Sequence, residues 1–278
     1  MPELPEVETL RRQLTPLVTN RRIGDVVKAT HHRYASARTT KGRVVRALHR
    51  RGKYLILELS KEEDLVLHLG MTGQILWGDA RPPAGGHVHL GLVFSTGVLW
   101  LRDPRRFGRA LVVPRGEYSA LPTLDALGPE PFDPSFSTAR VVAFLGVEGA
   151  PVKARLLEQR LVAGVGNYLA DETLWRARVN PRARSLTREQ CIEVRVALRK
   201  TIRDSMAAGG VSERDYVHID GSRGRFVEKL AVHGRAGLPC LRCGSTLVRD
   251  RVAGRGTVWC PGCQPEPVIS GREPRPVP

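Results

Sequence analysis

The sequence predicts an α+β protein in which a β-sandwich or barrel-like domain is followed by helices and by a small cysteine-bearing hairpin. Apolar residues alternate with a period of two from about residue 22 to residue 114, which is typical of antiparallel strands. Beyond the proline-rich stretch 127–136 the apolar spacing becomes helical. Two CxxC pairs stand near the C-terminal end. These three observations predict separate β and α regions in one chain.

An amphipathic helix is predicted at the start of the chain, over residues 5–18. Pro5 suits its first turn, and Glu6 and Glu8 suit the positive end of its dipole. Strands are predicted over 22–29, 42–59, 64–71, 87–94, 98–103 and 109–114, with Ser95-Thr96-Gly97 as a short hairpin connection. The period of two across these segments predicts a sandwich or a barrel.

Helical segments follow the proline-rich stretch. They are predicted over 137–145, with Ser137 as a cap, over 152–160 and 167–177, and as a long helix that ends at Gly209-Gly210. Thr187-Arg188-Glu189-Gln190 is a capping box at the start of the long helix. Because Cys191 lies on the apolar face of that helix, we expect it to be a core residue.

The composition favours a polyanionic partner. The 278 residues include 44 Lys and Arg against 28 Asp and Glu, which leaves a formal net charge of +16. This excess is larger than the roughly 2–8 of a small soluble domain, and it is typical of proteins that bind nucleic acid through its phosphates. Aromatic residues make up 5% of the chain, which argues against modules that bind single strands by stacking on exposed rings.

The two cysteine pairs predict a metal centre. Cys240-Leu241-Arg242-Cys243 and Cys260-Pro261-Gly262-Cys263 have the spacing of two zinc knuckles, so Cys240, Cys243, Cys260 and Cys263 would hold one structural zinc ion. An iron–sulfur site is the alternative. The residues between the knuckles predict a β-hairpin with Ala253-Gly254 at its turn and Arg255 near its tip. Several arginines in and around this hairpin indicate contact with phosphates.

The first three residues, Met1-Pro2-Glu3, contain a possible nucleophile that needs no side chain. If Met1 is removed, Pro2 has a free secondary amine, and an α-amino group has a reference pKa of about 7.7–8.0. Such an amine attacks a masked aldehyde to give an iminium ion. Glu3 stands where a carboxyl group can transfer protons at the reacting centre. Many chains begin with Met-Pro, so this motif needs support from the rest of the sequence.

Other motifs stand at glycine turns. Gly164-Val165-Gly166-Asn167 suits either a phosphate site or, as we favour, an ordinary connection between helices. Taken alone, Lys53 is best interpreted as a solvated strand end, and Met71 as a packing residue. Phe107 stands among arginines such as Arg105 in a loop, which fits a wedge inserted into a base stack.

These motifs together resemble one family. The segments MPELPEVET, RRGKYL, HLGMTG, DPRRFG and GVGNYLADE and the two CxxC pairs resemble, in order and spacing, the bacterial formamidopyrimidine-DNA glycosylases over about residues 1–264. The resemblance implies a base-excision repair enzyme with an N-terminal β-sandwich, a helix–two-turn–helix module and a zinc finger. It also implies a bifunctional DNA glycosylase and abasic-site lyase that removes 8-oxoguanine and formamidopyrimidines from duplex DNA and then performs β,δ-elimination.

The resemblance implies roles for four catalytic residues. Pro2 matches the Schiff-base nucleophile of the family, and Glu3 matches its acid/base. Lys53 matches the lysine assigned to β-elimination and phosphate contact. Arg255 matches the zinc-finger arginine assigned to δ-elimination and phosphate binding.

The resemblance also implies DNA contacts. Three side chains match those that fill the void left by the flipped base, namely Met71, Arg105 and Phe107. Asn167 matches the asparagine that holds the backbone beside the lesion, His87 matches a DNA-contacting histidine, and Lys153 resembles a lysine implicated near the lesion. The chain departs from the family at Tyr168-Leu169, where isoleucine-tyrosine is usual. The loop 215–226, which corresponds to the base-capping loop, is more basic than usual, so lesion preference stays open.

The predicted domain order combines pattern and resemblance. It begins with a catalytic β-sandwich domain and its leading helix over residues 1–130, followed by a linker over 131–136. A helix–two-turn–helix DNA-binding domain is predicted over 137–232, a zinc finger over 233–264 and a disordered tail over 265–278. We expect a monomer that binds damaged double-stranded DNA. Because no apolar run is long enough for a membrane span and the start is not a signal peptide, we expect a cytoplasmic, nucleoid-associated protein.

Two other functions stay open at this stage. An endonuclease VIII-type glycosylase that acts on oxidised pyrimidines would share Pro2, Glu3 and the lysine. A zinc-ribbon DNA-binding protein without catalytic activity would explain the charge and the finger, but not the N-terminal residues.

Overall fold

The computed structural model describes residues 2–212 and 216–266. Met1, the first residue of the predicted base-capping loop and most of the predicted disordered tail lie outside the described residues. The chain forms two compact units that are each discontinuous in sequence. Unit 1 consists of residues 1–136, 159–166 and 199–229, and unit 2 consists of residues 137–158, 167–198 and 230–278.

The first helix, α1 (Leu4–Val18), confirms the sequence prediction. Glu3 is its N-cap residue, and Pro5 lies in its first turn as predicted. Its apolar face is buried through residues such as Leu10 and Leu14.

Eight strands of unit 1 form two antiparallel sheets. The strands are β1 (Asp25–Val27), β2 (Val45–Arg51), β3 (Tyr54–Leu59), β4 (Glu63–His68), β5 (Gln74–Gly78), β6 (Val88–Phe94), β7 (Gly97–Arg102) and β8 (Arg109–Pro114). One sheet has the order β1-β6-β7-β5 and the other β2-β3-β4-β8. The β6–β7 hairpin confirms the predicted connection, since Phe94 pairs with Gly97. Strand β5 is not among the predicted strands.

The two sheets and α1 share one core, which confirms a β-sandwich. Leu55 and Leu57 of β3 meet Leu99 of β7 and Leu10 of α1 in a single buried cluster. The alternate residues of β3 pack in a second cluster, which the short helix α2 (Pro122–Asp125) helps to form. Strand β3 is buried on both faces for this reason, although antiparallel strands commonly face water on one side.

The proline-rich stretch 127–136 is an ordered part of unit 1. Its carbonyl groups accept hydrogen bonds from Arg51 and Arg199, and Phe136 is fully buried. The linker predicted over 131–136 ends where unit 1 gives way to unit 2 along the chain, after Phe136. Arginine side chains satisfy part of the irregular backbone of this stretch.

Unit 2 contains the predicted helices and the hairpin. They are α3 (Thr138–Leu145), α4 (Val152–Leu157), α5 (Asn167–Arg176), the first half of α6 (Arg188–Ala207), β9 (Val248–Val252) and β10 (Arg255–Trp259). The predicted caps are confirmed, because Ser137 accepts from the Arg140 N–H and Thr187 and Gln190 form the capping box. Cys191 is fully buried, as predicted. Helix α4 ends three residues before its predicted limit.

Within the described ranges, no helix has the length and apolar character needed to cross a membrane.

Candidate active site and metal centre

Pro2 and Glu3 lie buried at the N-terminal end of α1. The Glu3 backbone N–H donates to the Glu6 carboxylate at 2.7 Å, as one half of a capping box between the two residues. The Glu3 carboxylate accepts a hydrogen bond of 2.7 Å from the Gly166 N–H. The carboxyl group beside Pro2 therefore has a position that is fixed by both the helix and a second loop.

That second loop is the turn that contains Gly164 and Gly166, and it approaches the N-terminus closely. A Cβ atom on Gly166 would lie 2.2 Å from the carboxyl carbon of Glu3, and one on Gly164 would lie 2.6 Å from the Cβ of Leu4. The Gly164 N–H donates to the Gln159 side chain at 2.8 Å. Because the amides of both glycines are used inside the protein, the turn does not need a phosphate to explain it.

Lys53 occupies the two-residue turn between β2 and β3, since Arg51 pairs with Tyr54. Gly52 supplies the positive φ of 55° at the first position of this turn. A Cβ atom on Gly52 would lie 3.5 Å from the Gly164 backbone nitrogen, so the turn reaches the glycine loop beside the N-terminus. The Lys53 side chain is not a solvated strand end, because only 6% of the residue is exposed.

Ion pairs anchor the strand that leads into this turn. Arg50 binds Glu8 at 3.1 Å and Glu130 at 2.7 Å, and Arg51 binds Glu130 at 3.2 Å. Burial opposes ionisation of Glu8, but its arginine partners lower its pKa to about 2. The basic run before Lys53 is therefore used largely to hold the backbone in place.

His68 at the end of β4 is neutral near pH 7. Burial, and then the positive charge of Lys53, lower the pKa of His68 to about 4. Its Nδ1 atom faces the Gly70 N–H at 3.2 Å, which fits an unprotonated acceptor. This histidine therefore adds no charge next to the lysine.

Met71, Arg105 and Phe107 come together on two loops of unit 1. Phe107 is 46% exposed and Met71 37% exposed, so neither is a core residue. The Arg105 guanidinium carbon lies 4.6 Å from the centre of the Phe107 ring. A Cβ atom on Gly70 would lie 2.6 Å from the Phe107 carbonyl carbon, which shows how closely the loops approach. The packing interpretation of Met71 is therefore wrong, and a protruding wedge fits these exposures.

His87 is exposed and lies just before β6, with a positive φ of 59°. Its carbonyl group accepts a hydrogen bond from the Asp103 N–H at 2.9 Å. The main chain of His87 is thus tied to the end of β7, and its ring lies at the surface.

Lys153 in unit 2 is fully buried. The resemblance names it among the DNA contacts, and that role stays a prediction. Its ammonium group lies 2.6 Å from Asp171, 2.8 Å from the Thr257 hydroxyl and 3.0 Å from the Gly256 carbonyl. Asp171 also binds His233 at 2.9 Å. The charge of Lys153 is therefore used to fasten the zinc-finger hairpin to α4 and α5.

Asn167 shares this attachment. Its side-chain amide donates to the Gly256 carbonyl at 2.9 Å, so two side chains hold the residue that follows Arg255. Arg255 itself is exposed at the start of β10. The Ala253-Gly254 turn is confirmed, and positive φ values of 48° and 75° at its two residues fit a tight hairpin.

The four cysteines form the predicted metal centre. Their sulfur atoms all lie within 4.8 Å of one another. Cys243 and Cys260 are 3.4 Å apart, and Cys240 and Cys263 are 3.9 Å apart. Zn–S bonds of about 2.3 Å in a tetrahedron require S···S distances of about 3.8 Å, so the cluster fits zinc. Backbone N–H groups of Arg242 and Cys263 also point at cysteine sulfurs.

Sequence reasoning missed several buried carboxylates. Glu6 accepts from the Val211 N–H at 2.7 Å in addition to its capping contact. Glu172 accepts from three consecutive backbone N–H groups at residues 231–233, and burial raises its pKa. Glu6 lies within MPELPEVET and Glu172 within GVGNYLADE, but no local sequence pattern indicates their long-range partners. Asp103 is a third buried carboxylate that was not predicted from the sequence.

Family models match three parts of the chain. The formamidopyrimidine-DNA glycosylase N-terminal domain matches residues 1–110, its H2TH domain residues 127–216, and the zinc finger found in FPG and IleRS residues 237–265. These parts define a DNA glycosylase of DNA repair that carries a zinc finger. A formamidopyrimidine-DNA glycosylase of Thermus thermophilus is 44% identical over 96% of this chain and 99% of its own length. The chain belongs to the formamidopyrimidine-DNA glycosylase family.

Other relatives agree. A formamidopyrimidine-DNA glycosylase of Desulfitobacterium hafniense is 40% identical over 95% of this chain and all of its own length. The crystal structure of the MutM (Fpg) protein from Thermus thermophilus matches with a TM-score of 0.89 at 44% identity, over 96% of this chain and all of that one. The complex of Lactococcus lactis Fpg with DNA that contains an abasic site has a TM-score of 0.88 at 33% identity, over 95% and 100%. The predicted fold class and zinc finger are thus confirmed.

Proposed function

We propose that this glycosylase excises oxidised purines, such as 8-oxoguanine and formamidopyrimidines, from duplex DNA and then cleaves the strand at the abasic site. The observation that carries the proposal is the fixed position of the Glu3 carboxyl group beside Pro2, held by the Gly166 N–H. The turn with Lys53 reaches the same glycine loop. An amine, a carboxyl group and a lysine are the groups that such a reaction needs.

The first stage is removal of the base. The target nucleotide must leave the stack, because the anomeric carbon is inaccessible in a duplex. The Pro2 nitrogen then bonds to C1′ while the bond from C1′ to the base breaks, and the base leaves as its protonated form. Glu3 assists this departure by proton transfer. Opening of the sugar gives an iminium ion between Pro2 and C1′.

The second stage is cleavage of the strand. The iminium ion makes the C2′ protons acidic, so loss of one of them expels the 3′ phosphate. Loss of a C4′ proton then expels the 5′ phosphate, and hydrolysis of the iminium ion frees Pro2 again. Lys53 contacts phosphate and transfers protons in the β-elimination, and Arg255 binds the phosphate that leaves in the δ-elimination. A one-nucleotide gap remains.

The other site residues hold the DNA. Met71, Arg105 and Phe107 fill the void that the flipped base leaves, which their exposure on neighbouring loops supports. Asn167 holds the backbone beside the lesion, His87 contacts the DNA, and the net charge of +16 supplies general attraction to phosphates. We propose that the protein acts as a monomer, since one chain carries all of these residues.

Oxidised pyrimidines are a second candidate substrate. One solved relative is Lactococcus lactis Fpg in complex with DNA that contains an oxidised pyrimidine, at 32% identity and a TM-score of 0.87. The two substrates differ in the base and share the sugar chemistry. A panel of duplexes with 8-oxoguanine, an oxidised pyrimidine or no damage separates them. We expect fastest excision of 8-oxoguanine; faster excision of the pyrimidine would contradict the purine assignment.

Lys53→Ala should weaken both binding and excision. One phosphate contact is lost, so the slope of log affinity against log salt should fall by about one unit. Because positional errors near 1 Å can cost about a hundredfold in rate, excision of 8-oxoguanine should also slow. The measurement is duplex affinity and single-turnover excision at two or more salt concentrations.

Lys61→Ala is the matched control. Lys61 is an exposed lysine at the opposite end of β3, roughly 25 Å along the strand from Lys53. Its loss should leave the salt slope and the excision rate almost unchanged. Equal effects of the two substitutions would show that Lys53 acts through general charge alone.

A further inference from the structure

Asp103 is a fully buried carboxylate directly after β7, and the proposed reaction does not use it. It accepts hydrogen bonds from the Tyr34 hydroxyl at 3.0 Å, the Thr72 hydroxyl at 2.7 Å and the Gly108 N–H at 2.7 Å. Burial of a carboxylate is costly unless such donors compensate for it. Three donors from three separate segments therefore meet at one side chain.

Two of these donors directly follow residues of the proposed wedge, which consists of Met71, Arg105 and Phe107. Thr72 follows Met71 in the loop 69–73, and Gly108 follows Phe107 in the loop 103–108. Both stretches lie outside helices and strands, and a backbone turn bond closes each of them, from the Gly73 N–H to the Leu69 carbonyl and from the Arg106 N–H to the Asp103 carbonyl. The side-chain contacts of Asp103 add to these turn bonds.

Thr72 also extends the connection to the third wedge residue. Its hydroxyl oxygen accepts a hydrogen bond from the Arg105 N–H at 3.3 Å while its proton is donated to Asp103. A single hydroxyl can perform both functions at once. The main chain of Arg105 is thereby linked through Thr72 to the same carboxylate.

The third donor, the Tyr34 hydroxyl, shares Oδ2 of Asp103 with the Gly108 N–H, while Thr72 donates to Oδ1. Burial, and then the charge of Asp103, raise the pKa of Tyr34, so its hydroxyl remains a donor. Tyr34 is itself fully buried and stacks on His89 at 5.4 Å between ring centres. The Asp103 carbonyl oxygen lies 3.0 Å from Nε2 of His89. The carboxylate is thus attached to the packed interior of unit 1.

We propose that Asp103 and Thr72 are positioning residues that hold Met71, Arg105 and Phe107 in place before DNA is bound. This inference rests on the proposed role of those three side chains as the group that fills the void. An inserted wedge must resist the tendency of the bases to restack, because separating stacked bases costs free energy. Loops held only by their own turns would yield, whereas loops held by one buried carboxylate keep the side chains in register.

The test compares Thr72→Val with Thr72→Ser, because valine keeps the shape of threonine and serine keeps its hydroxyl. Thr72→Val should slow single-turnover excision of 8-oxoguanine from duplex DNA roughly tenfold or more, as expected when a hydrogen bond to a buried charge is lost. Thr72→Ser should stay within about twofold of the parent protein. Thr72→Ala repeats the loss of the hydroxyl if the valine variant does not fold.

A second readout separates positioning from general damage. Borohydride trapping on a single-stranded oligonucleotide with an abasic site needs Pro2 but no base flipping, so Thr72→Val should trap at the parental rate. Slow trapping there would mean that the hydroxyl supports the whole fold, and the positioning role would be rejected. Duplex excision by Thr72→Val at the parental rate would reject it as well.

Phe107→Ala distinguishes this inference from the proposed function. If the wedge role is correct, Phe107→Ala slows duplex excision, and adding Thr72→Val to it has less effect than in the parent protein. An impaired Phe107→Ala with an unaffected Thr72→Val would overturn the positioning role alone. An unaffected Phe107→Ala would overturn the wedge and, with it, the positioning role.

Discussion

Glu3→Gln should reduce the excision of 8-oxoguanine by roughly a hundredfold or more, which is the contribution expected from a positioned general acid or base. Cleavage of a duplex with a preformed abasic site should fall much less. The reason is that Glu3 assists departure of the base, and at an abasic site the base has already gone. Glutamine can still accept the hydrogen bond that the Gly166 N–H donates to the Glu3 side chain, so the local structure should persist.

Single-turnover kinetics on the two duplexes measure this difference. Glu63→Gln is the matched control, because Glu63 lies at the end of β4 that is away from Lys53 and binds Arg43 at 2.6 Å. Its loss should lower stability and leave the ratio of the two rates unchanged. If Glu3→Gln slows both substrates equally, Glu3 serves the eliminations as much as base departure, and the assignment is wrong.

Cys260→Ala should remove zinc and abolish tight binding to duplex DNA. Structural zinc contributes an apparent free energy of about 10–16 kcal/mol to small zinc-finger peptides, far more than a hairpin of this size could replace. Cys260 directly follows β10, the strand that begins with Arg255. Without the metal, Arg255 should lose its fixed position, while the sandwich in unit 1 should keep its own cooperative thermal transition.

Elemental analysis and duplex affinity test this prediction. Cys191→Ala is the control, because Cys191 is a buried core residue of α6 that is separate from the sulfur cluster. That variant should lose some stability and keep one zinc ion per chain. A Cys260→Ala protein that lacks zinc and still binds duplex DNA fully would contradict a structural role of the metal.

Local patterns predicted most of the secondary structure. The capping box at Thr187 and the glycine turns were recognisable because their chemistry is contained within four residues. Strand β5 was missed because Gln74–Gly78 has few residues, of which one is glycine. Its position depends on pairing with β7, which is a long-range contact.

In the candidate active site, too, the contacts that the sequence did not predict are long-range ones. The resemblance selected Pro2, Glu3 and Lys53, and the structure places them on segments that meet at one glycine loop. The resemblance could not show that Lys153 is buried against Asp171. A lysine in a basic chain resembles a phosphate contact whether or not it has a buried partner. Asp103 escaped notice for a similar reason, because its donors come from residues 34, 72 and 108.

The N-terminal amine of Pro2 as nucleophile is the central claim, and borohydride trapping on DNA with 8-oxoguanine tests it most directly. The mass of the mature protein should show that Met1 is absent, and Pro2→Gly should impair both base removal and trapping. Digestion of the trapped complex should yield one adduct, on the peptide that begins with Pro2. An adduct on Lys53 or another lysine, or full trapping by a protein that retains Met1, would contradict the claim.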